Sequence, residues 1–256
     1  MIIITKEAQL KKYLNKERNR YEFNESVEFK IAIETNFSIW CNYSIKGSSI
    51  KTSGSIRSYS IEVRNSIRGG DIKGSFIKAG HSIWGGDIRG GDIEAGGYIG
   101  AVGYIEGDSI EAGYSIKAGG SIGSFSIKAG GDIEAGGSIR GGDIEARNSI
   151  RAGGDIGVSS IKAGGYIFSF AFKISCKKIT TKLLPFWRDY WAEMPPFKKW
   201  KKEILENSNC WDDYKKIITK EEAEKICKWD GWHWILRVQL EMFFGLREEY
   251  IIGCGL

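Results

Sequence analysis

Proline is nearly missing from this chain: 3 residues in 256, beside 34 glycines. Without abundant proline or a strict glycine every third residue, it is not collagen. Histidine is scarcer still, with 2 residues, His81 and His233. Cys227 is the nearest thiol to His233 in sequence, and no further ligands complete a zinc set. No metal or cofactor is therefore expected. HExxH and GxxxxGK[ST] are absent, and no pair of carboxylates stands out as an acid/base couple, so the expectation is a protein that is not an enzyme. The 5 cysteines (Cys41, Cys176, Cys210, Cys227 and Cys254) are scattered, with no CxxC, which fits reduced thiols and a cytoplasmic location. No apolar run approaches the ~18 residues of a membrane span, and the opening MIIITKEAQLKK holds too short a run for a signal peptide, so no membrane partner is expected. Threonine is almost absent from the repeats, which excludes the regular threonine face of an ice-binding rod.

What is present is a repeat. Isoleucine recurs at 39, 45, 50, 56, 61, 67, 72, 77, 83, 88, 93, 99, 105, 110, 116, 122, 127, 133, 139, 144, 150, 156, 161 and 167, always five or six residues apart. Every third isoleucine is 17 residues on from Ile88 to Ile167, and 16 or 17 before that. The unit is a coil of three short strands, split 5, 6 and 6. Around Ile133 the run Asp132-Ile133-Glu134-Ala135 alternates outward and inward, the period of a strand. The residue two after isoleucine is small because a narrow triangular interior has no room for a second large side chain. Glycine follows at the corners, where positive φ is often required. Asp, Ser and Asn at the corners suit turns through bonds to their own backbone. A flexible glycine linker would have no use for isoleucine in register.

Stacking the coils gives columns. Lys46, Glu62, Lys78, Glu94, Glu111, Lys128, Glu145 and Lys162 share one, mostly alternating in sign, so that stacked neighbours attract. Another begins Trp40, Arg57, Lys73, Arg89, basic in its first half, and reads as a solvated edge, with a binding stripe as the alternative. The fold expected is mainly β: a three-sided parallel β-helix of about 8 coils, some 38 Å long at ~4.8 Å per coil. The mixture of five- and six-residue steps favours the right-handed form, because left-handed helices hold a stricter six.

Repeats such as GGDIEAGGSIRGGDIEA, residues 130–146, resemble those of bactofilins, polymer-forming cytoskeletal proteins. The likeness covers roughly residues 37–172. It implies a triangular β-helix and, as one expected function, self-assembly into filaments through stacked ends. The two ends depart from that plan.

Residues 1–36 read as an N-terminal helix and a capping strand. Thr5 is placed to N-cap a helix over about Lys6–Glu17, and Val27, Phe29, Ile31 and Ile33 alternate as a strand. Residues 173–256 read as an aromatic, basic helical domain holding seven of the 9 tryptophans. In PFKKWKKEILEN, Phe197, Trp200, Ile204 and Leu205 share a helical face. Thr219 and Glu222 form a capping box opening a helix from Lys220 to about Trp229. After Asp230 and Gly231, the spacing of Trp232, Ile235, Leu236, Gln239, Leu240, Phe243 and Phe244 predicts a last helix.

The C-terminal domain carries the candidate partner site. Lys198, Lys199, Lys201 and Lys202 surround Trp200, a pattern suited to phosphate contacts and stacking, so nucleic acid is one candidate partner. Trp229, Trp232 and Trp234 cannot all share one helical face, so one is left for a protein interface. The expectation is a non-enzymatic binding protein whose rod presents this domain to a protein or nucleoprotein complex. Such an architecture suits a phage or mobile-element inhibitor of a host defence complex, in the manner of an anti-CRISPR. The flat sides offer homodimer contacts through Tyr98, Tyr104 and Tyr166.

Overall fold

The structure is a computed structural model that describes residues 1–169, 174–176, 178–181, 189, 191–208, 211–229, 240, 241, 244 and 246, with only the backbone at 211 and 212. It is a parallel β-solenoid. One face is a nine-stranded parallel sheet running from Ile33–Thr35 to Ile167–Ser169. The register puts isoleucine on isoleucine at every step, Ile33↔Ile50, Ile67↔Ile83, Ile99↔Ile116 and Ile133↔Ile150 among them. The other two faces repeat this with the Ile39 and Ile45 columns. Every isoleucine of the repeat is buried except Ile167, on the last described strand of its face, which is half-buried. Burying one such side chain is worth about 1.5–3 kcal/mol. The small residues beside them, Ala79, Ala95, Ala112, Ala129, Ala146 and Ala163, close the interior.

The corner residues act differently from the expectation. Many of their side chains bond the next coil rather than their own turn, although Ser124 still bonds Ser126 within its turn. Ser115 Oγ accepts from Asp132 N at 3.0 Å, Asp132 Oδ1 from Ser149 N at 2.9 Å, and Ser149 Oγ from Tyr166 N at 3.3 Å. Stacked coils leave these corner hydroxyls and carboxylates beneath the next amide. A polar ladder therefore runs beside the hydrophobic one.

The solenoid has about nine turns rather than eight, because pairing begins upstream of residue 37. Ile2–Ile4 pairs with Val27–Phe29, which pairs with Ser44–Gly47, and Arg20–Phe23 pairs with Ser38–Cys41. The first turn fills its interior with Tyr21, Phe23, Val27 and Phe29, so it lacks the isoleucine–glycine signature. Pairing also runs beyond residue 172: Lys178–Thr180 lies in register with Ser160–Lys162.

The N-terminal helix is shorter than the expected Lys6–Glu17 stretch. It is a 3-10 helix, Glu7–Tyr13. Its cap is the Gln9 side-chain carbonyl, which accepts from Thr5 N at 2.7 Å and Lys6 N at 2.9 Å, so Thr5 is not the capping acceptor. Leu14–Asn15 is claimed as a strand antiparallel to Arg20–Phe23, and the reversal passes through Asn19 at φ 50°. That pairing ends the helix. Leu10 is buried in the solenoid core and Tyr13 stacks 4.8 Å from Phe23, so the first rung is covered.

Downstream, a second core gathers Trp191, Phe197, Ile204, Tyr214, Ile218, Ala223, Ile226, Leu240 and Phe244. Ile179 packs against both cores. The expected Phe197 face is present, on a 3-10 turn Pro195–Trp200 followed by a helix Lys201–Asn207. The capping box is present too: Glu222 N donates to Thr219 Oγ1 at 3.3 Å and Thr219 N to Glu222 Oε2 at 3.1 Å, opening Lys220–Cys227. Of the predicted last helix, Trp232, Ile235, Leu236, Gln239 and Phe243 lie outside the described residues. No helix among the described residues is long and apolar enough to cross a membrane.

Candidate functional site

Each face of the rod presents one outward column at the residue after isoleucine, and the columns differ in how far they neutralise themselves: the second alternates in sign, and the third pairs in part, with Arg68 opposite Lys51. On the second face the predicted charge ladder forms: Lys46–Glu62 at 3.2 Å, Lys78–Glu94 at 2.8 Å, Glu111–Lys128 at 3.5 Å and Glu145–Lys162 at 2.8 Å. The hydrogen bond from Lys162 holds the Glu145 carboxyl below its ordinary pKa, and the one that Lys78 donates to Glu94 raises the pKa of Lys78. On the third face, Lys51 pairs with Glu34 at 2.5 Å, and Lys117 and Arg151 share Glu134 at 3.1 and 3.2 Å.

The first face departs from this pattern. Trp40, Arg57, Lys73 and Arg89 stack in strict register on successive coils. Like charges directly opposite on neighbouring strands repel. Among the described residues Arg57 and Lys73 have no carboxylate partner within 4.0 Å, and Arg89 reaches only Asp87 at 3.8 Å and Glu106 at 4.0 Å. The nearby Asp71 and Asp87 carboxylates accept backbone N–H groups, from Asp87 N and Tyr104 N at 3.1 Å each. The Trp40 indole lies under the Arg20 guanidinium, 3.4 Å from the ring centre, with Arg57 at 5.2 Å. This ladder forms one wall of a shallow open groove of about 950 Å³ that runs from Trp40 to Gly141. Tyr59 and Phe125 line it, 68% and 75% exposed. Arg140 adds a further cation beyond Glu106 and Asp108.

No protein-family model, curated protein or solved structure matches this chain. The site therefore rests on its own geometry.

The C-terminal candidates are partly spent on internal contacts. Lys199 pairs with Glu222 at 2.8 Å and sits 3.6 Å over the Trp200 ring, lowering the Glu222 pKa through its hydrogen bond. Lys201 pairs with Glu193. Lys198 and Lys202 are exposed and have no ion pair among the described residues. Trp200 and Trp229 are half-buried against the second core. Trp232 and Trp234 lie outside the described residues. Of the tyrosines proposed as apolar spots, Tyr104 lies under Arg89 at 4.5 Å and Tyr166 under Arg151 at 5.0 Å. Tyr98 stays 47% exposed, 5.2 Å from Tyr114.

One motif escaped the sequence reading. Gly119-Gly120-Ser121-Ile122-Gly123 has the GxSxG spacing of a hydrolase nucleophile turn. Here Ser121 is a corner residue whose Oγ accepts from Ser138 N at 3.1 Å, in a parallel coil rather than on a strand-to-helix elbow. Tyr59, Phe125 and Arg140 were also missed. The signal was available in the outward positions one and three after the Ile56, Ile122 and Ile139 residues, read as columns rather than along the chain.

Proposed function

We propose that this chain is a non-enzymatic binding protein, a rigid rod that engages a macromolecular partner along its first face, with the exposed Lys198 and Lys202 as a second contact. One observation carries the reading: the second-face column alternates its charges in ion pairs, while the first-face column stacks Arg57, Lys73 and Arg89 without equivalent compensation, inside a groove. Stacked like charges cost the fold stability, so their natural compensation is a ligand of opposite sign. The covered first rung supports a discrete rod over a bactofilin-like filament, whose assembly needs bare ends to stack.

The test is affinity purification from native lysate with two variants, Arg57→Glu/Lys73→Glu and Lys198→Glu/Lys202→Glu, after circular dichroism has verified both folds. The expected result is a macromolecule retained by the parent chain, lost from the groove variant and weakened in the second. Retention undiminished in the groove variant, or no retained macromolecule at all, overturns the reading.

A further inference from the structure

We propose that the groove on the first face binds single-stranded nucleic acid, with phosphates on the Arg57–Lys73–Arg89 ladder and bases on Tyr59 and Phe125. The inference rests on the binding-protein reading and names its partner. Three observations converge. The basic ladder is in strict register, so it offers cations at strand spacing, roughly 10 Å across its three rungs. A linear row of cations matches a linear row of phosphates. The groove is shallow and open and crosses successive coils, a shape for a chain rather than an enclosed small molecule.

The aromatic rings decide between single and double strands. Tyr59 and Phe125 occupy one outward column, linked through Ser75, Gly91 and Asp108, and lie four rungs apart, roughly 19 Å. Both are among the most exposed apolar side chains of the solenoid, and neither stacks on another ring among the described residues. Exposed flat rings beside cations are platforms for unpaired bases, whose faces are free; in a duplex those faces are covered. Trp40 plays a separate part: held between Arg20 and Arg57, it fixes the guanidinium rather than receiving a base. Glu106 and Asp108 face the groove between the ladder and Phe125. They repel phosphate there, which confines phosphate contact to the Trp40–Arg89 half, and they can accept from the amino groups of cytosine or adenine.

The experiment is fluorescence anisotropy of the full chain with labelled single-stranded DNA and RNA, the matching duplexes, and a polyglutamate peptide of similar length, across a salt series. Single strands should bind at low salt, with log K falling against log salt at a slope near about −2, as for three phosphates on a single strand. Reversing Arg57, Lys73 and Arg89 to Glu should abolish binding. Tyr59→Ala and Phe125→Ala should each weaken it by roughly five- to a hundredfold, whereas the loss of a purely electrostatic contact would leave them neutral. Lys128→Glu, on the self-neutralised face, should change little. No single-strand binding, binding that survives the charge reversal, or tighter binding of duplex or polyglutamate overturns this proposal. If oligonucleotides fail while the groove variant still loses its retained macromolecule, the binding-protein reading stands and the nucleic acid falls.

Discussion

Truncating Ile116 to alanine is expected to lower the unfolding free energy by about 2–5 kcal/mol, the range for emptying a fully buried aliphatic site. Ile116 is 0% exposed at mid-rod, stacked between Ile99 and Ile133. Three features make relaxation hard. The interior is one isoleucine wide on each face, the coils are pinned by backbone ladders, and the corner side chains tie each coil to the next. In a solenoid each repeat contacts only its neighbours, so a weak central coil also uncouples the two halves. The control is Ile167→Ala, half-buried on the last described strand of its face, which should cost distinctly less. Urea unfolding followed by far-UV circular dichroism reads both. Equal costs at the two positions would mean that stability does not reside in the isoleucine stack.

The second large effect is expected at Gly141, where valine should destabilise by roughly 2–4 kcal/mol. Gly141 has φ +155°, and a Cβ there would stand 1.7 Å from the Ser124 carbonyl oxygen of the preceding coil. That obstacle is backbone held in the ladder, Ser124 opposite Gly141, so it cannot swing aside. The contrast is Gly157, one coil further along, where a Cβ meets nothing within 4 Å. Gly157→Ala should be neutral or stabilising by up to about 1 kcal/mol, because it restricts the unfolded chain at no cost in contacts. The same unfolding assay decides the pair. A tolerated Gly141→Val would show that the corner yields.

The solenoid was legible because isoleucine spacing and core geometry are one fact expressed twice. A three-sided interior admits one large aliphatic per side, and any slip in register would put Ile133 outside and Glu134 inside. The charge ladder was legible for the same reason, since column membership follows from spacing. The first turn was legible only in part: the alternation at Val27 and Phe29 marks a strand, but Tyr21, Phe23 and Phe29 put aromatics where the coils have isoleucine, so its place in the solenoid was not. The N-terminal helix was overextended because local propensity could not reveal the competing antiparallel pairing of Leu14 with Tyr21. The Thr219–Glu222 capping box was read correctly because it is local, closing within four residues. The candidate site was half legible. The basic column could be listed from sequence, but its lack of compensating partners needed coordinates, as did the groove joining it to Phe125. The lysine cluster beside Trp200 stood out in sequence, yet Glu193 and Glu222 neutralise two of its members from other segments.

The distinction between a discrete binding rod and a filament turns on the ends. At one end, Leu10 and Tyr13 cover the first rung and Leu14–Asn15 pairs antiparallel to Arg20–Phe23. At the other, Ile179 joins the last rungs to the second core. Molar mass by light scattering after size exclusion, with electron microscopy of the same fraction, tests this most directly. The account predicts a single species at the chain mass of 28.6 kDa, or a dimer of it, with short particles and no dependence on concentration beyond that. Filaments, or a mass that climbs continuously with concentration, would contradict it.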